Sequence, residues 1–312
     1  MSFASEIKSE LLRIDTKKEC CIRAELCGLI CFGGTVLPGG RVRIATENAA
    51  TARRGFSLIR DCFGISGEII TNHSRAARGA NAYAIAVDSA ADGFRILSGL
   101  SLLEGHTVSF RIREEMLENP CCHRAFLRGA FLGGGSVANP EKEYHLELTT
   151  PRPLLAEDTV RLFAEFGLGA RMVQRRASRV VYFKSSEEIG DVLNIIGAHT
   201  AYMELMNVRI LKERRNQVNR RVNCETANLD KAVDAAQAQV AAIRHLKRSG
   251  RLSSLSQGLR DAAEMRLLFP EAPLAELGKM LNISKSGINH RMRKLMELAE
   301  GNNKKRQTSK KA

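Results

Sequence analysis

Three sets of side chains in this 312-residue sequence could do chemistry. They are eight cysteines, seven histidines and a dense run of arginine and lysine toward the C-terminal end. Thiolates and imidazoles bind metals and act in nucleophilic catalysis, so their spacing decides what to expect. Cys20–Cys21 and Cys121–Cys122 are adjacent pairs, and neither has the CxxC spacing of a zinc knuckle. Cys27 and Cys31 stand four apart on a predicted helix, but no histidine or second pair follows at finger spacing. Small buried apolar residues are the simpler reading, and no metal or other cofactor is expected. His73, His106, His123, His145 and His199 are scattered, with no Ser/His/Asp or His/Cys arrangement among them. "GGTVLPGG" (33–40) is glycine-rich but lacks the Gly-Lys-Ser/Thr ending of a phosphate loop, so it reads as a turn.

The basic set is more informative. Residues 1–199 hold 25 Lys and Arg against 23 Asp and Glu, whereas residues 200–312 hold 23 against 11. Nearly all of the +14 formal charge therefore lies in the C-terminal third, where a polyanion would bind. Within it, "GLRDAAEMRLLFPEAPLAELGKMLNISKSGINHRMRKLMELA" (258–299) reads as three helices. The first ends before Pro270, the second starts at Pro273, and Ser284 caps the third, whose Ile288, Met292, Leu295 and Leu298 share one face. Two helices joined by a short break, the second opening on polar and basic residues, form a helix-turn-helix pattern. Lys285, Ser286, Asn289, His290 and Arg293 would then point toward base edges, Arg and Lys suiting guanine and Asn suiting adenine. Ser284, Arg291 and Lys294 would fasten phosphates. A helical hairpin with a solvated charged face is the plainer alternative.

Upstream, "YMELMNVRILKERRNQVNRR" (202–221) predicts a basic helix, and Asn228 is placed to cap a second one running to Gly250. Arg214, Arg215, Arg220 and Arg221 form a cluster suited to phosphates or simply to solvent. The tail "NNKKRQTSKKA" is polar and basic, as in disordered segments. No run approaches the ~18–20 apolar residues of a membrane span, and "MSFASEIKSELLRID" has no signal-peptide core, so a reducing cytoplasmic location is expected.

The first two hundred residues contain a duplication. "CCIRAELCGLICFGGTV" (20–36) and "CCHRAFLRGAFLGGGSV" (121–137) align at a 101-residue offset, with identical residues at nine positions including Gly28/Gly129, Gly33/Gly134 and Gly34/Gly135. After each copy come a strand or hairpin, a helix, a hairpin and a further helix, judged by two- and three-to-four-residue periodicities. Gly28 and Gly129 each cost about 1 kcal/mol of helix propensity relative to alanine, and close helix–helix approach would compensate. The double glycines are expected to end each helix in a left-handed conformation.

"LCGLICFGG" and "LRGAFLGGG" resemble the LAGLIDADG signature of homing endonucleases, whose two motif helices form a central interface. In that family the eighth motif residue is acidic and binds the metal that activates water. Here the eighth positions are Gly33 and Gly134, which have no side-chain ligand. The resemblance therefore implies retained architecture without two-metal hydrolysis, unless Glu25, Glu47 or Glu147 has been recruited.

The full order, a degenerate repeat, then "NRRVNCETANL" (219–229), then "LAELGKMLNISKSGINHRMRKL" (274–295), resembles the WhiA family of bacterial DNA-binding regulators across essentially the whole chain. The resemblance implies an α+β fold: a pseudo-symmetric duplicated LAGLIDADG-like domain, followed by an all-α linker and helix-turn-helix domain. The expected divisions are 1–120 and 121–200 for the two repeats, 201–250 for the linker, 251–300 for the helix-turn-helix and 301–312 for a disordered basic tail. It also implies a non-enzymatic, nucleoid-associated transcription regulator with roles in cell division, chromosome segregation and, in sporulating relatives, sporulation. Double-stranded DNA is the expected partner, with other regulatory proteins as further candidates. The alternatives are an active endonuclease and a scaffold for RNA or acidic proteins. The scaffold is disfavoured by the absence of Trp and the presence of only four Tyr for base stacking.

Overall fold

The computed structural model describes residues 2–73, 81–105 and 107–308. His106 and residues 309–312 lie outside the described residues. The chain divides into two compact units, residues 1–213 and 214–312.

The first unit opens with α1 (Phe3–Leu11), which buries Phe3, Ile7 and Leu11. Two copies of one motif follow. The first is α2 (Glu19–Gly33), β1 (Gly34–Leu37), β2 (Arg41–Thr46), α3 (Ala49–Phe63), β3 (Glu68–His73), β4 (Asn81–Val87) and α4 (Ala90–Gly99). A short ribbon, β5 (Leu103–Glu104) with β6 (Thr107–Val108), precedes the second copy. That copy is α5 (Pro120–Gly134), β7 (Gly135–Val137), β8 (Leu146–Thr150), α6 (Pro153–Glu165), β9 (Arg171–Arg175), β10 (Ser178–Phe183) and α7 (Ser186–Ile196). The sheets run β1-β2-β4-β3 and β7-β8-β10-β9, each antiparallel throughout, so the two halves share one topology.

The paired helices α2 and α5 form the centre of this unit. Their residues Leu26, Leu29, Ile30, Phe126, Leu127, Phe131 and Leu132 are all buried in one apolar core. The two backbones approach closely where the glycines stand. A Cβ on Gly28 would collide with the Phe126 carbonyl oxygen, and one on Gly129 with that of Glu25. The helix-propensity cost of these glycines is thus offset by contact that no larger residue permits.

The double glycines serve a different purpose from the one expected. Gly34 and Gly135 are extended, with φ of −92° and −87°, so neither helix ends in a left-handed residue. Crowding explains the small side chains instead. A Cβ on Gly34 would lie 2.5 Å from the Ile30 carbonyl oxygen, and one on Gly134 would lie 2.7 Å from the Thr149 carbonyl oxygen.

A 50-residue helix, α8 (His199–Arg248), supplies its first residues to the first unit and the remainder to the second. At its start the Glu10 carboxylate accepts from the amides of Thr200 and Ala201 at 2.7 and 3.1 Å, a side-chain cap that also suits the helix dipole. Asn228 caps nothing; it lies inside α8, and its amide donates to Cys224 Sγ at 3.7 Å. Residues 199–248 contain neither Pro nor Gly, so one asparagine has no breaker to assist it.

The second unit continues with α9 (Gln257–Leu268), α10 (Leu274–Met280) and α11 (Lys285–Thr308). Its core joins Ile243 and Leu246 of α8 to Ala262, Ala263, Leu277, Ile288, Met292, Leu295 and Ala299. The last helix runs on to Thr308, into the stretch read from sequence as an unstructured tail.

Candidate functional site

Helices α10 and α11 meet through a turn that this sequence makes easily. Asn282 adopts φ +50°, a left-handed conformation that asparagine tolerates better than most residues. The Ile283 amide donates back to the Gly278 carbonyl at 2.8 Å. Gly278 is required here because a Cβ would lie 2.9 Å from the Ile283 carbonyl oxygen. Ser284 then caps α11, accepting from the Gly287 amide at 3.1 Å. Pro273 is the residue before α10 rather than its first turn, with φ −58° and extended ψ.

Burial of Ile288, Met292 and Leu295 fixes how α11 is rotated. Lys285, Ser286, Asn289, His290, Arg293 and Lys294 consequently form an exposed polar and basic face over its first three turns. Ser284 is exposed beside them, its hydroxyl 2.9 Å from that of Ser286. Arg293 is lightly tethered, its Nε 3.8 Å from Glu297.

Arg291 differs from this group. It is half-buried and donates to the Gly258 carbonyl at 3.1 Å, which ties α11 to the start of α9. On α8, Arg214, Arg215, Arg220 and Arg221 are all exposed, and Arg221 pairs with Glu225 at 2.9 Å.

One residue that positions this face was missed in the sequence. Arg266 is only 1% exposed, and its guanidinium donates to the Ala272 carbonyl at 2.6 Å and to Gln239 Oε1 at 3.1 Å. It thereby ties α9 and α8 to the Pro270–Pro273 turn that precedes α10. Burial pulls its pKa below the usual arginine value, and carbonyl acceptors satisfy the donors instead of a carboxylate. The available signal was a charged residue four after Ala262 on the same helical face.

In the first unit, Gly33 and Gly134 stand at the C-terminal ends of α2 and α5, where a metal-binding acid would be expected. The surroundings do not fit a divalent cation. The Arg152 guanidinium occupies the end of α2, donating to the carbonyls of Cys31 and Gly34, both at 2.6 Å, while stacking 3.5 Å from the Phe110 ring centroid. A fixed cation there repels a second one.

The three acids that might have been recruited are placed otherwise. Glu25 is fully buried, accepting from Arg54 at 2.8 Å, Arg128 at 3.1 Å and Thr16 at 3.1 Å. Glu147 pairs with His145 at 3.1 Å and lies 3.8 Å from Arg175. Glu47 is exposed and near Lys8, whose pKa is lowered by burial and partly restored by that carboxylate. Among the described residues, Asp, Glu and His form no cluster of three or more that could hold a metal.

The cysteines come together in a way that their spacing along the chain does not show. Neither adjacent pair makes a site by itself, but the pseudo-symmetry brings Cys20, Cys21, Cys121 and Cys122 together at the N-terminal ends of α2 and α5. Their four sulfurs lie within 4.8 Å of one another. Burial pushes the Cys21 thiol up to about 12 and Cys122 up to about 11, while hydrogen bonding with Cys21 holds Cys121 below its usual value.

Comparison with known proteins places the whole chain in one family. Residues 19–103 match the WhiA N-terminal LAGLIDADG-like domain, 123–215 the WhiA LAGLIDADG-like domain and 218–299 the WhiA C-terminal HTH domain. The chain is 42% identical over 310 residues to the "Probable cell division protein WhiA" of Alkaliphilus metalliredigens, covering 96% of this chain and 98% of that one. It is 46% identical to the protein of the same name from Alkaliphilus oremlandii, covering 96% and 97%. Among solved structures, full-length WhiA from Thermotoga maritima superposes with a TM-score of 0.59 at 26% identity, covering 96% of this chain and 98% of that one.

Proposed function

The chain belongs to the WhiA family, and from that premise we propose that it is a sequence-specific double-stranded DNA-binding regulator of transcription. The observation that carries this reading is the exposed face of α11, presented directly after the α10–α11 turn. In helix-turn-helix geometry the first turns of the second helix enter the major groove. Lys285, Ser286, Asn289, His290 and Arg293 are then the residues offered to bases. Ser284 and Lys294, at the rim of the same face, are offered to phosphates, and Arg214, Arg215, Arg220 and Arg221 extend that role along α8. Arg291 is reassigned to holding α9.

Hydrolytic chemistry is absent from this reading. Gly33 and Gly134 supply no ligand, and Arg152 sets a positive charge where a metal would stand. The duplicated domain then serves as scaffold and as a surface for protein partners, in keeping with its near-balanced charge. The name carried by the relatives, a probable cell division protein, makes division genes the first targets to examine. Chromosome segregation, sporulation in sporulating hosts and nucleoid association form the wider proposal.

The test is retention of sheared genomic DNA by the full-length protein, with sequencing of what is bound. Discrete sites whose base preference relaxes in Lys285→Ala and Asn289→Ala support the reading, and sites indifferent to both substitutions defeat it. Incubation of those sites with the protein and magnesium should leave them intact; a specific cut would restore the endonuclease.

A further inference from the structure

The four clustered thiols point to a metal site separate from the lost nuclease centre. We propose that Cys20, Cys21, Cys121 and Cys122 form a tetrathiolate site for one thiophilic divalent cation, zinc, which joins the N-terminal ends of α2 and α5.

Distance supports a single ion. Zinc holds thiolate sulfurs at about 2.3 Å in a tetrahedron, which sets neighbouring sulfurs about 3.8 Å apart. The Cys20 and Cys21 sulfurs are 4.0 Å apart, and all four lie within 4.8 Å of one another. Only a small contraction separates this arrangement from a coordination shell. An iron–sulfur cluster would spread its four thiolates over two or four irons, which sets some of the sulfurs farther apart than a single ion does.

The placement also suits coordination. Each pair occupies the first turn of its helix, Glu19–Gly33 or Pro120–Gly134. The site thus faces the positive ends of two helix dipoles, which offset the net negative charge of four thiolates around a divalent ion. Lys18 adds a further positive charge close to Cys121. Cys21 and Cys122 are buried whereas Cys20 and Cys121 are half-exposed, so two ligands are shielded and two remain open to an arriving ion. Ordinary core packing does not require four thiols from segments about a hundred residues apart to converge. The fold supplies the ligand spacing that neither adjacent pair has along the chain.

The experiment uses the full-length chain, purified with a non-thiol reductant, stripped with chelator and reloaded with zinc or cobalt. Elemental analysis after desalting should find one zinc per chain, and the cobalt form should show the visible bands of tetrahedral thiolate coordination. Cys20→Ser with Cys121→Ser should abolish both readouts, whereas Cys224→Ser, on an exposed cysteine of the other unit, should change neither. A folded wild-type chain that retains no zinc, or stoichiometry that survives the double substitution, overturns the proposal. Should the double variant fail to fold, alkylation of the wild-type chain decides instead. Zinc should slow modification of Cys20 and Cys121 about tenfold or more, since a coordinated thiolate is a poor nucleophile, and chelator should restore it. Equal rates with and without zinc overturn the site.

Discussion

The two units use charge in opposite ways. In the first, several charged groups are buried and paired with one another. Glu25 is held by Arg54 and Arg128. Asp158 accepts from Arg111 at 2.6 and 2.8 Å, from the Ile112 amide at 3.1 Å and from Arg161. Burial alone would raise the Asp158 pKa, yet these donors hold it below the usual aspartate value. In the second unit, Arg266 and Arg291 are spent on the fold, while Lys285, Arg293, Lys294 and the α8 arginines face solvent. The same side-chain types therefore have different consequences: paired and buried, they specify an architecture; exposed and in excess, they attract a polyanion.

The contrast would be broken most sharply at Glu25. Glu25→Ala should strand two guanidiniums and destabilise the first unit by about 3–5 kcal/mol, measured by denaturant unfolding. A loss below about 1 kcal/mol, the scale of an exposed pair, would mean that the buried charges do not organise this unit. Arg266→Ala is next, at about 2–3 kcal/mol from unsatisfied carbonyls and a vacated core position. It should lower the melting temperature and weaken DNA binding together, and loss of one without the other would separate Arg266 from positioning α10.

Asn289→Ala should cost about 1–3 kcal/mol at one base position and relax preference there, with stability unchanged. Competition between single-base variants of a selected site would read this. Lys294→Ala should have the smallest effect, a uniform weakening across sequences and a salt slope shallower by about one. If Asn289→Ala and Lys294→Ala act alike, α11 does not divide bases from phosphates as proposed.

What the sequence reveals about this molecule is what repeats or alternates along it. The 101-residue offset shows that Gly28 and Gly129 are equivalent, and the structure puts them where two backbones meet. The apolar spacing of Ile288, Met292 and Leu295 likewise shows the buried side of α11. Contacts between distant segments leave no such trace. Arg152 reaches Cys31 and Gly34 across more than a hundred residues, and the cysteine cluster exists only once the repeats are folded together. The Asn228 expectation failed for a different reason: a capping residue ends nothing when no breaker flanks it.

The pair formed by Glu25 and Arg128 also limits how this chain could be rearranged. At the repeat offset, Glu25 corresponds to Phe126 and Arg128 to Cys27. A homodimer built from the first repeat alone would keep Glu25 but place Cys27 where Arg128 stands. One built from the second would keep Arg128 and face it with Phe126. Either would bury an ion without this partner. The halves have become complementary rather than equivalent, so the fusion works as a ratchet: once acquired, such a lock penalises any return to two identical subunits.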